Sequence, residues 1–205
     1  VALHPHLIAA EISGYGTGGP RTDDKAYDLA IQAEAGVFSV TGDGDRMGKV
    51  GFSVADICAA MYALTSILAA LVRRERTGEG AAIQVSMLDS LAEWVSAPLY
   101  NAVYGPGQAV RTGRRHHAIA PYGTFALSDG STVLIAVQSD GEWRSMAEHL
   151  LGDASLGQDP RFATNASRIG NVDELERLIA ERLEVLSADD ARAGLAQGRI
   201  ANARV

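Results

Sequence analysis

The chain has 205 residues, 18 Lys and Arg against 25 Asp and Glu, a formal net charge of -7, and hydrophobic residues at 47%. This is the balance of a globular protein with enough chain for one large domain or two small ones, and its acidity argues against non-specific nucleic-acid binding, which needs a basic face. The lone cysteine, Cys58, excludes an intramolecular disulfide, no basic-then-apolar leader is present, and the uncharged stretch from Ile57 to Val72 falls short of a membrane span. The expectation is therefore a cytoplasmic protein with no nucleic-acid or membrane partner.

In chain order, Leu7 to Ser13 reads as a short apolar strand running into glycines. Ala26 to Val37 reads as a helix with Leu29, Ala33 and Val37 on one face. Phe52 to Arg76 reads as a long buried helix with a basic last turn and Gly78 as its stop. Ala81 to Met87 is a second strand, and Leu88 to Val103 a further helix. Strands alternating with helices predict a parallel sheet covered by helices, hence α/β. Turn chemistry at Tyr104-Gly105-Pro106-Gly107-Gln108 opens a linker over residues 105–118, which separates a first domain (1–104) from a second (119–205). In the second domain, Tyr122 to Leu127 and Ser131 to Gln138 flank Ser128-Asp129-Gly130, a hairpin signal. Helices over Gly141 to Leu151, Asn171 to Leu186 and Ala188 to Ala196 follow, so this smaller domain reads as α+β.

Three features bear on chemistry. Gly14-Tyr15-Gly16-Thr17-Gly18-Gly19 has the literal spacing of a dinucleotide loop, which would suit a nicotinamide-dependent oxidoreductase. Yet Pro20-Arg21-Thr22-Asp23-Asp24 follows where that motif requires a helix, so a loop at a strand end is the simpler reading. Asp56 is the only charge between Val50 and Val72. Ser53-Val54-Ala55-Asp56 fits a capping box, and a carboxylate held at a helix N-terminus is also a competent nucleophile toward an activated acyl group. Residue chemistry alone leaves both readings open. Finally, no acid occurs from Trp94 to Ser128, where Arg111, Arg114, Arg115, His116 and His117 lie. Such a run is either a solvated segment or a place to meet an anionic small ligand. Metal hydrolysis and serine-triad chemistry have no supporting motif, His116-His117 lacks a third ligand, and Cys58 reads as a core residue.

Taken in order, Ile12-Ser13-Gly14-Tyr15-Gly16, Lys25-Ala26-Tyr27-Asp28, Ala55-Asp56, Glu75-Arg76-Thr77-Gly78-Glu79-Gly80 with Gln84-Val85-Ser86-Met87, and Ala120-Pro121-Tyr122-Gly123 with Ser128-Asp129-Gly130 resemble the family III CoA-transferases. That group includes formyl-CoA transferase, carnitine CoA-transferase and alpha-methylacyl-CoA racemase. The resemblance covers nearly the whole chain and implies an internal segment of a longer protein. It implies part of a Rossmann-like large domain, a smaller domain, and an interlocked homodimer. It further implies transfer of coenzyme A, a substrate with no tightly bound cofactor, between an acyl-CoA and a free carboxylic acid. The nucleophile falls on Asp56, which would form an acyl anhydride and then an aspartyl-CoA thioester. Lys25 matches a lysine near the CoA phosphates, Tyr27 and Asp28 match residues lining the acyl site, and Gln32 lies one turn on, placed to reach it. Most of the family's CoA-binding residues belong to a segment preceding this chain.

Two departures sharpen the expectation. The racemase branch carries a histidine near the position of Tyr27, and no histidine occurs from Leu7 through Arg115, which disfavours the alternative of acyl-CoA epimerisation. The glycine run of formyl-CoA transferase is replaced by Arg111 to His117. With Arg115 and His117 to meet a second carboxylate, the expected acid is a dicarboxylate.

Overall fold

The computed structural model describes residues 4–105, 107 and 110–205, so Pro106 and Gln108 of the expected turn lie outside the described residues. The chain divides into two units, Val1–Gly113 and Arg114–Val205.

In the first unit, β1 (Ile8–Ser13) runs parallel to β4 (Ala81–Ser86), from Ile8 opposite Ala81 to Ser13 opposite Ser86. A parallel pair needs a crossover. Here it contains α1 (Asp28–Glu34), α2 (Val37–Val40), a minimal hairpin of β2 (Gly42–Asp43) and β3 (Arg46–Met47), and α3 (Val54–Thr77). After β4 come α4 (Met87–Trp94) and α5 (Ser96–Tyr104). The helix expected over 26–37 is interrupted by Gly36 at φ +85°, and the one expected over 88–103 breaks at Val95. Helix α3 ends as its sequence predicts. Gly78 adopts φ +72°, a conformation that side chains with a Cβ resist, and donates its N–H to the Arg74 carbonyl at 2.7 Å.

Helix α3 was expected to be buried along its length, and it is not. Its inward stripe is small, comprising Val54, Ala55, Cys58, Ala59, Ala63 and Ala70, and it packs on β1, β4, α1 and α4. Ile57, Met61, Leu64 and Leu68 face outward and are about half exposed. The helix is apolar on all sides, but the described residues cover one side only. By length and composition it is the one helix among them that could cross a membrane.

The second unit is an antiparallel sheet in the order β5 (Tyr122–Ala126), β6 (Thr132–Ala136), β7 (Ala201–Arg204). Helices α6 (Asp140–His149), α7 (Asn165–Gly170), α8 (Val172–Leu183) and α9 (Ala188–Gln197) enclose a core around Trp143, Phe162, Ile135, Leu175, Ile179 and Leu195. The expected hairpin forms: Gly130 at φ +79° donates to the Leu127 carbonyl, and the Asp129 carboxylate accepts from the Ser131 N–H at 2.9 Å. The architecture is thus mixed α/β, with one parallel and one antiparallel sheet.

Candidate active site

The N-terminal turn of α3 carries Asp56, and how that turn is held departs from expectation. Ser53 stands at the cap position, but its hydroxyl makes no capping bond. The Ala55 N–H is instead satisfied from α1, by Asp28 Oδ1 at 2.9 Å. The capping box is therefore absent, and a carboxylate distant in sequence does its work. A negative charge against helix-terminal N–H groups is favourable there, by about 0.3–1 kcal/mol on an exposed surface. Asp56 itself is exposed and makes no hydrogen bond or ion pair among the described residues, so its carboxylate is open to a ligand.

Asp28 has a second bond. Its Oδ2 accepts from Gln32 Nε2 at 2.8 Å, one turn on in α1. Gln32 is buried, and its Oε1 accepts from the Val50 N–H at 2.9 Å. Gln32 Nε2 also approaches the Phe52 carbonyl at 3.4 Å. The side chains expected to line the acyl site together with Tyr27 thus bind backbone. Tyr27, 75% exposed, and Lys25, also exposed, do face outward.

Next to this network lies Cys58, fully buried beside Ala55, Ile31 and Leu91. Burial pushes its thiol up from the ordinary value; a backbone hydrogen bond opposes this, and the charge of Asp28 adds to it. A thiol raised in this way is almost entirely protonated at neutral pH. Cys58 is therefore expected to resist iodoacetamide in the native protein and to label quantitatively once urea unfolds it, as peptide mass spectrometry would read.

The glycine loop is folded on its own terms. Leu88 N–H donates to the Gly14 carbonyl at 3.0 Å, and a Cβ at Gly14 would lie 2.1 Å from that of Ala26. Arg21 closes the loop from outside, stacking 4.0 Å from the Tyr15 ring centroid and pairing with Asp24 at 2.8 Å and Glu34 at 2.9 Å. The first helix after the glycines begins only at Asp28, so no helix N-terminus is presented by the loop for a pyrophosphate.

The basic stretch is also less open than its composition suggests. Arg111 Nε donates to the Gly44 carbonyl at 2.7 Å and its Nη1 reaches the Phe38 carbonyl at 3.3 Å, fastening the β2–β3 hairpin. Arg115 belongs to the second unit and pairs with Asp173 at 3.0 Å and Glu176 at 3.5 Å. His117 is exposed and stacks on His116, which stacks on Tyr122. His116 Nδ1 accepts the Ala118 N–H at 3.1 Å, and burial, with the neighbouring His117 adding to it, holds His116 below the ordinary imidazole value. Composition could not reveal that two of these arginines are already engaged. A cavity of about 580 Å³ in the first unit, lined by Gly36, Val40, Leu88, Val95 and Leu99 among others, includes none of the expected site residues. Among the described residues no cluster of His, Cys, Asp or Glu could hold a metal ion.

The comparisons with known proteins agree with one another. The profile of CoA-transferase family III matches residues 1–205. The succinate–glutarate CoA-transferase of Agrobacterium fabrum is 35% identical over 180 residues, covering 87% of this chain and 44% of that protein. The acetyl-CoA:oxalate CoA-transferase of Acetobacter aceti is 36% identical over 184 residues, with coverages of 88% and 46%. A solved CAIB/BAIF family protein from Brucella suis superimposes with a TM-score of 0.82 at 35% identity, over 98% of this chain and 53% of that one. The chain spans about half the length of the relatives it matches. With the whole of its length matched by that one profile, the chain belongs to CoA-transferase family III.

Proposed function

We propose that the protein to which this chain belongs moves coenzyme A from an acyl-CoA to a free dicarboxylic acid, with Asp56 as the nucleophile. The observation that carries this reading is the exposed Asp56 carboxylate at the first turn of α3, unpaired among the described residues, in a chain of this family. Relatives named for succinate, glutarate, oxalate and mesaconate support the choice of a dicarboxylate.

The chemistry proceeds by exchange at carbonyl carbons. An Asp56 oxygen attacks the thioester carbonyl of the donor, the C–S bond breaks, and CoA leaves as thiolate. The thiolate then attacks the Asp56 carbonyl carbon of the resulting anhydride and expels the donor acid as carboxylate. The acceptor carboxylate attacks the aspartyl thioester and releases the thiolate again. Attack of that thiolate on the acceptor carbonyl yields the new acyl-CoA and returns the Asp56 carboxylate. Each covalent step replaces one activated acyl group by another, so neither oxidant nor metal enters the balance.

On this reading Lys25 meets the CoA phosphates and Tyr27 lines the acyl site. The two units are a Rossmann-like domain and a smaller domain of a cytoplasmic, interlocked homodimer. The test is to incubate the full-length protein with succinyl-CoA, quench with hydroxylamine or borohydride, and map the modified peptide. Modification confined to Asp56 is expected. Turnover of succinyl-CoA with glutarate or oxalate without any adduct on Asp56 would overturn the assignment.

A further inference from the structure

Resting on the reading of Asp56 as nucleophile, we infer that Asp28 and Gln32 are positioning residues. Together they form a hydrogen-bonded clamp that fixes the backbone from Val50 to Ala55 and so aims Asp56, rather than touching substrate.

The geometry supports this at each link. Asp28 spends both carboxylate oxygens internally, one on the Ala55 N–H at 2.9 Å and one on Gln32 Nε2 at 2.8 Å. Gln32 is 1% exposed, and at that depth an unsatisfied amide would be strongly unfavourable. Its amide is satisfied on both sides, by Val50 N–H to Oε1 at 2.9 Å and by Asp28 and Phe52 from Nε2. The segment so held enters α3 without help from Ser53. Within Lys25-Ala26-Tyr27-Asp28 the roles then divide: Lys25 and Tyr27 point out to ligands, and Asp28 turns in to hold the turn that bears Asp56.

The bond pattern makes a specific swap possible. In Asp28→Asn the new amide confronts the Gln32 amide, donor against donor; turning Gln32 over only moves the conflict to the Val50 N–H. In Gln32→Glu two carboxylates face each other. In the double variant Asp28→Asn/Gln32→Glu, Asn Oδ1 accepts from Ala55, Asn Nδ2 donates to Glu, and the other Glu oxygen accepts from Val50, while only the long 3.4 Å contact to the Phe52 carbonyl is given up. Total charge is unchanged.

The experiment is single-turnover formation of the Asp56 adduct in the full-length protein, with steady-state kcat and KM and melting temperature for all four forms. Asp28→Asn is expected to slow adduct formation and kcat by about 10- to 100-fold, the scale of a misplaced reacting group, with KM for acyl-CoA changed much less. The double variant is expected to recover most of that rate, a coupling that independent sites would not show. Wild-type adduct rates in Asp28→Asn would overturn the clamp and leave the nucleophile standing. So would a double variant that melts like wild type yet reacts no faster than Asp28→Asn, and so would one that neither folds nor turns over. Absence of any Asp56 adduct in the wild-type protein would overturn the nucleophile itself, and the clamp with it.

Discussion

Asp56→Asn is expected to lower CoA transfer by at least about 1,000-fold in the full-length protein and to remove the trappable adduct, while the fold is unchanged. The substitution is nearly isosteric, and the side chain it alters is exposed and unpaired among the described residues, so no packing or hydrogen bond is lost. What is lost is the charge at the third position of α3, a helix-end term worth about 0.3–1 kcal/mol. An amide oxygen is a poor nucleophile toward a thioester, so the covalent route closes at its first step. Initial-rate assays with succinyl-CoA and a dicarboxylate acceptor, paired with a thermal melt within a few degrees of wild type, check both halves. Retained turnover would remove Asp56 from the reaction.

Arg168→Leu is expected to have the largest effect on stability, about 3 kcal/mol, localised to the second unit. Arg168 is only 1% exposed and donates to the Ala120 carbonyl at 2.6 Å, the Phe162 carbonyl at 2.9 Å and Asp140 Oδ1 at 2.8 Å. It also lies over the Trp143 ring. Leucine restores apolar volume but leaves two carbonyls in the interior without a donor. Asp140 sits half in water and rehydrates, so Asp140→Asn should matter far less. Denaturant titration, with hydrogen exchange reporting on the segment from Ala120 to Gly170, separates the two. Equal losses in the two variants would contradict this account.

The sequence made the repeating grammar legible and left the long-range bonds hidden. The strand at Leu7–Ser13, the stop at Gly78 and the turn at Ser128-Asp129-Gly130 were readable because each rests on local chemistry, namely periodicity, a left-handed glycine, and an Asp-Gly pair. β7 was missed because Ala-Asn-Ala-Arg carries no strand signal; it is a strand only through pairing with β6. Burial of α3 was overestimated because an all-round apolar pattern does not say which side a neighbour covers. The same limit governs the site. Asp56 stood out as a lone charge in an apolar run, whereas the clamp's bonds to the turn that bears it join residues 18 to 27 positions apart, which no spacing rule reports. Arg168 drew no notice either, since nothing in Asn-Ala-Ser-Arg-Ile-Gly marks its arginine as interior.

The parallel pair of β1 and β4 has a practical bearing on how this protein should be handled. Among the described residues each strand bonds only to the other, so both outer margins present unpaired backbone donors and acceptors, flanked by the outward Ile12 and the greasy side of α3. Two strands alone make a marginal sheet, and open margins are templates for adding further chains. A recombinant fragment limited to these 205 residues would be prone to stack on itself in a test tube. Biochemistry on the intact polypeptide avoids that artefact.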